Sequence, residues 1–128
     1  MALRDQLRIM VVDDMSTSRG LITQALDAFG VTNVTTAGDG PSALEALNAK
    51  PVHLVISDYN MPGMDGLQLL QNLRAGARTK GVGFILITGK ADKAIVENGK
   101  KLGMNNFLKK PFDPMDLRKC IEAVVGRL

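Results

Sequence analysis

The segment Arg8–Asp14 has the sequence RIMVVDD, in which four consecutive apolar residues are followed at once by two carboxylates. An apolar run without alternation is typical of a parallel strand that is covered on both faces of its sheet. The runs Leu54–Ile56 and Phe84–Ile87 have the same character, while Asn33–Ala37 and, more weakly, Asn106–Leu108 complete the set. The sequence therefore predicts five strands, three of which are expected to be covered on both faces.

Apolar residues at helical spacing lie between these runs. The first such segment ends at Gly30, a typical C′ residue, and Pro41 suits the first turn of a second helix. A third helix begins with a capping-box pattern at Asp65, a fourth ends before Gly103, and a fifth has Asp113 as its N-cap. Strands and helices that alternate five times imply βαβ units. We therefore expect an α/β fold with helices on both faces of an open parallel sheet.

The length of 128 residues suits one domain with a well-buried core, and neither a linker nor a second domain is apparent between residues 1 and 128. The single cysteine, Cys120, excludes an intramolecular disulfide, and no apolar run approaches the ~20 residues of a membrane span. No signal peptide is apparent either. We therefore expect a cytoplasmic protein without membrane insertion. We also expect it to be a monomer.

The net charge of +3 is unevenly distributed along the chain. Residues 90–128 hold nine Lys and Arg against five Asp and Glu, whereas the preceding residues are close to neutral. Such a basic excess attracts an acidic protein segment or nucleic acid, or it serves only the solubility of exposed helix faces. We expect no DNA partner, and the choice between an acidic partner and a solvated face stays open at this point.

Polar side chains follow four of the five predicted strands. They are Asp13 and Asp14 after the first strand, Asp58 after the third, Thr88 after the fourth and Lys110 after the fifth. Parallel strands all point the same way, so their carboxyl ends gather at the edge where α/β sheets bind ligands. Taken singly, the aspartates would serve as helix-capping or turn residues and Thr88 as a β-branched strand end. Their coincidence at matching strand ends favours a functional site.

Three carboxylates in one place repel one another, and burial would raise their pKa values unless a cation neutralised them. Mg²⁺ prefers oxygen ligands and keeps several waters, so carboxylates, a backbone carbonyl and a phosphate oxygen would suit it. No cluster of His or Cys competes for a softer metal, because His53 and Cys120 stand alone in the sequence. The pattern therefore predicts Mg²⁺ as the cofactor.

Four motifs resemble those of response-regulator receiver domains. They are Val11–Asp14, Asp58–Gly66, Thr88–Gly89 and Lys110–Phe112, and together they span the chain. With Ser16–Arg19 and no output domain, the pattern is most similar to the CheY-like, single-domain chemotaxis family. The resemblance implies a flavodoxin-like, doubly wound (βα)5 fold with strand order 2-1-3-4-5.

The resemblance also implies roles for the acidic residues. Asp58 is the expected phosphoacceptor, and Asp14, Asp58 and the Asn60 backbone carbonyl are the expected Mg²⁺ ligands. Asp13 is expected to assist through water. The expected phosphodonor is a chemotaxis histidine kinase, and a flagellar motor switch protein or a phosphatase are further expected partners.

Lys110 is expected to pair with the phosphoryl group, and its bond to Pro111 is expected to be cis, as is typical of the family. Thr88 would donate a hydroxyl hydrogen bond and would form the switch together with Phe107. Phenylalanine stands where motor-binding members usually have tyrosine, so the hydroxyl part of that switch is missing. An inward turn of the ring would still fill space beside Thr88, with the small Gly89 nearby. The alternative is an ordinary core aromatic on an edge strand.

Two other classes of protein fit the sequence less well. A phosphatase with an aspartate nucleophile needs a general acid, commonly two residues beyond the nucleophile, where this chain has Asn60. A flavodoxin-like cofactor binder needs a phosphate-cradling loop after the first strand, where Asp13 and Asp14 would repel the phosphate. We therefore expect a signalling protein and not an enzyme. Whether it binds a motor switch or drains phosphate from a shared kinase as a sink stays open.

Overall fold

Five parallel strands form a single sheet in the computed structural model, which describes residues 2–89 and 93–128. The strands are β1 (Arg8–Val12), β2 (Asn33–Ala37), β3 (Leu54–Asp58), β4 (Gly83–Thr88) and β5 (Asn106–Lys109). Their order across the sheet is β2-β1-β3-β4-β5, and every neighbouring pair is parallel. The predicted flavodoxin-like α/β fold and its strand order are therefore confirmed.

Helices connect the strands and cover both faces of the sheet. They are α1 (Leu3–Gln6), α2 (Ser16–Ala28), α3 (Gly40–Ala49), α4 (Gly66–Ala75), α5 (Lys93–Leu102) and α6 (Pro114–Val125). Helices α2 to α6 lie where the sequence predicts them. The sequence does not predict α1, because this helix has four residues and none of them is buried. Across the described ranges, none of the helices has the length and apolar character that crossing a membrane requires.

Local sequence signals set the ends of these helices. The side chains of Asp65 and Asp113 each accept a hydrogen bond from the backbone N–H three residues on, within capping boxes at the start of α4 and α6. Gly30 follows α2 with φ +85° and Gly103 follows α5 with φ +93°, in the left-handed region that glycine adopts without steric cost. The predicted starts and ends of these helices are therefore confirmed.

The two faces of the sheet bury separate cores, and β1 contributes to both. Ile9 and Val11 point to the face that α2 and α6 cover, whereas Met10 and Val12 point to the face that α3, α4 and α5 cover. All four side chains are buried, and each such burial contributes about 2 kcal/mol to folding. The continuous apolar sequence of β1 is thus explained by its position between two neighbouring strands and two layers of helices.

Two strands extend further towards their carboxyl ends than their apolar runs predict. Asp58 is the last residue of β3, and Thr88 is the last residue of β4, so both belong to strands and not to the loops beyond them. Asp58 is paired with Ile87 in the parallel register. The backbone ladder of the sheet therefore fixes the positions of both residues.

The single cysteine lies on the inner side of α6. Cys120 is buried, and burial raises the pKa of its thiol to about 11. Its Sγ donates to the Phe107 carbonyl oxygen at 3.5 Å. The thiol therefore belongs to the contact between α6 and β5.

We expect iodoacetamide at about pH 8 to alkylate Cys120 roughly a hundred-fold more slowly in the folded chain than in the unfolded chain, because the thiolate is the reactive form. The rate in the folded chain should keep rising as the pH approaches the thiol pKa of about 11. Intact mass against time measures both rates, with the denatured chain as the control. Equal rates for the two forms would contradict the burial of this thiol.

Candidate functional site

Three carboxylates meet at the carboxyl edge of the sheet. One side-chain oxygen from each of Asp13, Asp14 and Asp58 lies within 4.8 Å of the other two. Asp13 is fully buried, Asp58 is 7% exposed and Asp14 is exposed. The sheet brings them together because β1 and β3 are neighbours, with Val12 paired to Ser57 just before the aspartates. The structure therefore places the three predicted aspartates in one cluster.

Asp13 is held at its backbone and at one of its two carboxylate oxygens. Its N–H donates to the Ala37 carbonyl at 3.1 Å, and its Oδ1 accepts from the Met15 N–H at 2.9 Å. The second oxygen, Oδ2, is buried without a hydrogen-bond partner among the described residues. A buried carboxylate oxygen without a donor is costly, so this oxygen calls for a partner such as a water, a proton or a cation.

Burial also raises the pKa of the Asp13 carboxyl above its ordinary value of 3.8. The Met15 N–H acts against this rise, and the Lys110 ammonium also lowers the pKa. The carboxylates of Asp58 and Asp14 raise it, because like charges nearby disfavour ionisation. The net direction is upward, so a cation beside Asp13 would favour its ionised form.

Lys110 supplies positive charge at the acidic cluster. Its Nζ lies 3.1 Å from Asp58 Oδ1. The backbone N–H of Lys110 donates to the Thr88 carbonyl at 2.9 Å, which anchors the loop after β5 to the end of β4. The bond between Lys110 and Pro111 is cis, as predicted. The structure thus brings the predicted lysine into contact with the predicted phosphoacceptor.

Thr88 and Phe107, the two residues predicted to form a switch, lie on neighbouring strands. Thr88 is 2% exposed and is paired with Lys109, while Leu86 is paired with Phe107. Because alternate residues of a strand share a face, the side chains of Thr88 and Phe107 are on the same side of the sheet. The Phe107 ring is half-buried against the core beneath α3, α4 and α5. The two residues therefore share a face, one strand apart.

The loop after β3 carries Asn60, which lies two residues beyond Asp58 and is exposed. The N–H of Tyr59 donates to the Ile87 carbonyl at 2.7 Å, and the N–H of Gly66 donates to the Tyr59 carbonyl at 2.9 Å. These bonds fix the start of the loop to the sheet and to the start of α4. The assignment of the Asn60 carbonyl as a cation ligand stays a prediction.

Two residues that support Asp58 are not assigned to the site by sequence reasoning. The hydroxyl of Ser57, buried in β3, donates to the Asp58 carbonyl at 2.9 Å. A Cβ atom on Gly66 would lie 2.6 Å from the same carbonyl oxygen. Two features of the sequence point to these residues. Ser57 is a lone hydroxyl residue within an apolar strand, and Gly66 is a glycine at the first position of a helix. Both indicate close packing around the Asp58 backbone.

The donor set suits a small, hard cation. In the described part of the chain, these aspartates are the only group of three acidic, His or Cys side chains close enough to share an ion. Two oxygens on opposite sides of an octahedral Mg²⁺ are about 4.2 Å apart, which matches the dimensions of the cluster. The unpartnered Asp13 Oδ2 adds a buried oxygen acceptor to this cluster. The residues present therefore fit a divalent cation.

Comparisons with known proteins agree with this geometry. A probable chemotaxis protein CheY from Rhizobium etli is 42% identical over 128 residues, which cover 100% of this chain and 99% of that protein. The structure of chemotaxis protein CheY4 from Vibrio cholerae is 29% identical, with a TM-score of 0.87 over 93% of this chain and 98% of that chain.

A third similar protein is the receiver domain of a sensor histidine kinase from Pseudomonas aeruginosa, described with a magnesium ion coordinated in its active-site cleft. It is 27% identical, with a TM-score of 0.84 over 94% of this chain and 98% of that chain. The family model for the response regulator receiver domain matches residues 9–122. Since this match covers most of the chain, including all three clustered aspartates, the chain belongs to the response regulator receiver domain family and is a signalling protein and not a catalytic enzyme.

Proposed function

We propose that residues 1–128 act as a chemotaxis receiver domain that accepts a phosphoryl group on Asp58 from a histidine kinase. The observation that carries this proposal is the position of Asp58, which is 7% exposed, has its Oδ1 3.1 Å from the Lys110 ammonium and shares a cluster with two further carboxylates. The names of the similar proteins from Rhizobium etli and Vibrio cholerae support the link to chemotaxis.

Mg²⁺ is the proposed cofactor of this reaction. Asp14, Asp58 and the backbone carbonyl of Asn60 would hold it, with Asp13 acting through water. The oxygen-only cluster and the magnesium ion in the similar Pseudomonas receiver support this assignment. When bound, Mg²⁺ draws negative charge from the phosphoryl oxygens and from the crowded carboxylates.

The Asp58 carboxylate is the proposed nucleophile. One of its oxygens forms a bond to the phosphorus of a phosphohistidine while the phosphorus–nitrogen bond breaks. The electron pair of that bond stays on the imidazole, which takes up a proton. Lys110, whose Nζ lies 3.1 Å from Asp58 Oδ1, would balance charge on the phosphoryl oxygens, and the Thr88 hydroxyl would donate a hydrogen bond to one of them.

The proposed output surface is centred on Phe107 of β5 and includes the adjoining parts of α5 and α6. In the sheet, β4 separates it from β1 and β3, which carry the acidic cluster. It carries the exposed side chains of Lys93, Lys100, Lys101 and Lys119, whereas Lys90 of the same basic stretch lies outside the described residues. Such a surface favours a partner with acidic residues, such as a motor switch protein or a phosphatase. Movement of Thr88 towards a phosphoryl group would draw the Phe107 ring into the space beside it, since both side chains are on one face of the sheet.

The first prediction concerns the phosphoacceptor. Phosphoramidate with Mg²⁺ should add one phosphoryl group that is stable in acid and labile in base, and Asp58→Asn should take up none, because an amide is not a nucleophile toward phosphorus at neutral pH. Intact mass measures the uptake. Asp39→Asn, which keeps a capping residue outside the cluster, should behave as the unmodified chain does. Equal labelling of Asp58→Asn would remove Asp58 from its role.

A second prediction separates the cation ligand from the lysine. Asp14→Asn should weaken Mg²⁺ binding about ten-fold and slow phosphorylation, because a charged oxygen ligand is lost. Lys110→Ala should leave Mg²⁺ affinity largely intact while it impairs activation. Calorimetric titration with Mg²⁺ measures the first effect, and phosphoryl uptake and partner binding measure the second. Normal Mg²⁺ affinity in Asp14→Asn would show that the ligand assignment is wrong.

The third prediction concerns the switch. Phe107→Ala should reduce the gain in partner affinity on phosphorylation while phosphoryl uptake stays nearly unchanged, because the ring lies outside the acidic cluster. A ten-fold preference for the active form corresponds to about 1.4 kcal/mol of differential binding. Phe29→Ala, which alters an aromatic residue at the end of α2, is the matched control. Binding is measured with motor switch and kinase fragments, with and without a phosphate mimic.

Two results would contradict this switch. One is a full affinity gain in Phe107→Ala, and the other is an absence of amide chemical-shift changes in residues 88–120 when the phosphate mimic is added.

Affinity for the partner should also fall as salt rises, because exposed charges are screened within about 8 Å at physiological ionic strength. Phosphorylation without a gain in affinity for any switch fragment would favour a phosphate sink over a motor binder.

A further inference from the structure

Arg19 lies in the first turns of α2 and reaches back to the loop that precedes the helix. Its Nη1 donates to the backbone carbonyl oxygen of Asp13. A Cβ atom on Gly38 would lie 3.6 Å from the same nitrogen, so the guanidinium lies between the β1–α2 loop and the β2–α3 loop. The side chain is partly buried. Arg19 therefore reaches the acidic cluster through the backbone of Asp13.

The other hydrogen bonds of Asp13 involve only backbone partners. Its N–H donates to the Ala37 carbonyl at 3.1 Å, and its Oδ1 accepts from the Met15 N–H at 2.9 Å. Among the described residues, Arg19 is thus the one side chain that hydrogen-bonds to Asp13. These three hydrogen bonds hold the backbone N–H, the backbone carbonyl and one carboxylate oxygen of Asp13. The unpartnered Oδ2 is left pointing in a set direction.

The contact of Arg19 is with a carbonyl and not with a carboxylate. No ion pair joins it to an aspartate among the described residues. A direct charge on the cluster would compete with a bound cation, whereas a bond to the Asp13 carbonyl leaves the carboxylate free for one. The charge of Arg19 instead strengthens the hydrogen bond to a neutral acceptor. The contact that joins Arg19 to the site is therefore its hydrogen bond to the Asp13 backbone.

We propose that Arg19 is a positioning residue for cation binding, which holds the Asp13 backbone so that Oδ2 faces the bound ion or its water. This inference rests on the proposed function, since it names a support for the same Mg²⁺ site. Groups that orient metal ligands commonly affect metal affinity as strongly as some ligands do. Without Arg19, the β1–α2 loop would lose the hydrogen bond that ties the Asp13 carbonyl to α2, and Asp13 would sample more directions.

The experiment is a calorimetric titration of the full chain with Mg²⁺. We expect Arg19→Ala to weaken Mg²⁺ binding about ten-fold, the lower range for the loss of a group that orients a ligand. Arg19→Lys should recover most of this affinity, because an ammonium can also donate to a carbonyl. Arg78→Ala removes the same charge from an exposed site in the α4–β4 loop and should bind Mg²⁺ as the unmodified chain does.

A double-mutant cycle shows whether Arg19 acts through Asp13. If it does, Arg19→Ala should have little further effect on Mg²⁺ affinity in a chain that already carries Asp13→Asn. Urea unfolding of each variant in the absence of Mg²⁺ reports whether the chain is folded. If the Arg19→Ala variant is unfolded, the Arg19→Lys variant still allows Mg²⁺ affinity to be compared with that of the unmodified chain.

Several outcomes would overturn the inference. One is an unchanged Mg²⁺ affinity in Arg19→Ala. Another is a double variant whose loss of Mg²⁺ affinity equals the sum of the two single losses. The third is a folded Arg19→Lys variant that binds Mg²⁺ as weakly as Arg19→Ala does. In each of these cases the unmodified chain still binds Mg²⁺, so the proposed function stands. A folded, unmodified chain that does not bind Mg²⁺ would overturn the proposed cofactor and this inference together.

Discussion

Repulsion between buried carboxylates is the constraint on which the site depends. Asp13 and Asp58 are both buried at neighbouring strand ends, and their oxygens lie within 4.8 Å of each other and of Asp14. Lys110 compensates Asp58 at 3.1 Å, but Asp13 Oδ2 has no donor among the described residues. The backbone ladder of a parallel sheet keeps the two aspartates together in spite of this cost. The fold thus maintains an excess of negative charge that favours the binding of a cation.

The same strand ends connect the acidic cluster to a second surface. The Thr88 carbonyl accepts from the N–H of Lys110, and the Thr88 side chain shares a face of the sheet with Phe107. The core on that face continues to α5 through partly buried apolar side chains. A chemical change at Asp58 is therefore adjacent both to the loop that carries the lysine and to the face that α5 covers. In the sheet, only β4 lies between β3, which carries Asp58, and β5, which belongs to the proposed output surface.

The sequence predicted the fold and the cluster well because both depend on strong local signals. Apolar runs marked β1, β3 and β4, and the aspartates followed them at the edge that parallel strands share. The strand order came from the resemblance, because periodicity does not determine which strands are neighbours. Helix α1 was missed since it buries nothing. The supports at Ser57 and Arg19 were also missed, because a hydrogen bond to a backbone carbonyl depends on three-dimensional position and leaves no pattern in the sequence.

The close approach of Gly66 to Asp58 has a consequence for engineering. Any other residue at position 66 would bring a Cβ atom to 2.6 Å from the Asp58 carbonyl oxygen and to 2.7 Å from a methyl group of Leu86. The end of β3 and the start of α4 are therefore packed too closely to admit a side chain at position 66. In a chimaera with another α/β protein, a crossover placed between Asp58 and Gly66 would have to bring in a helix that begins with glycine. In such a chimaera, β3 and α4 are best exchanged together as one segment.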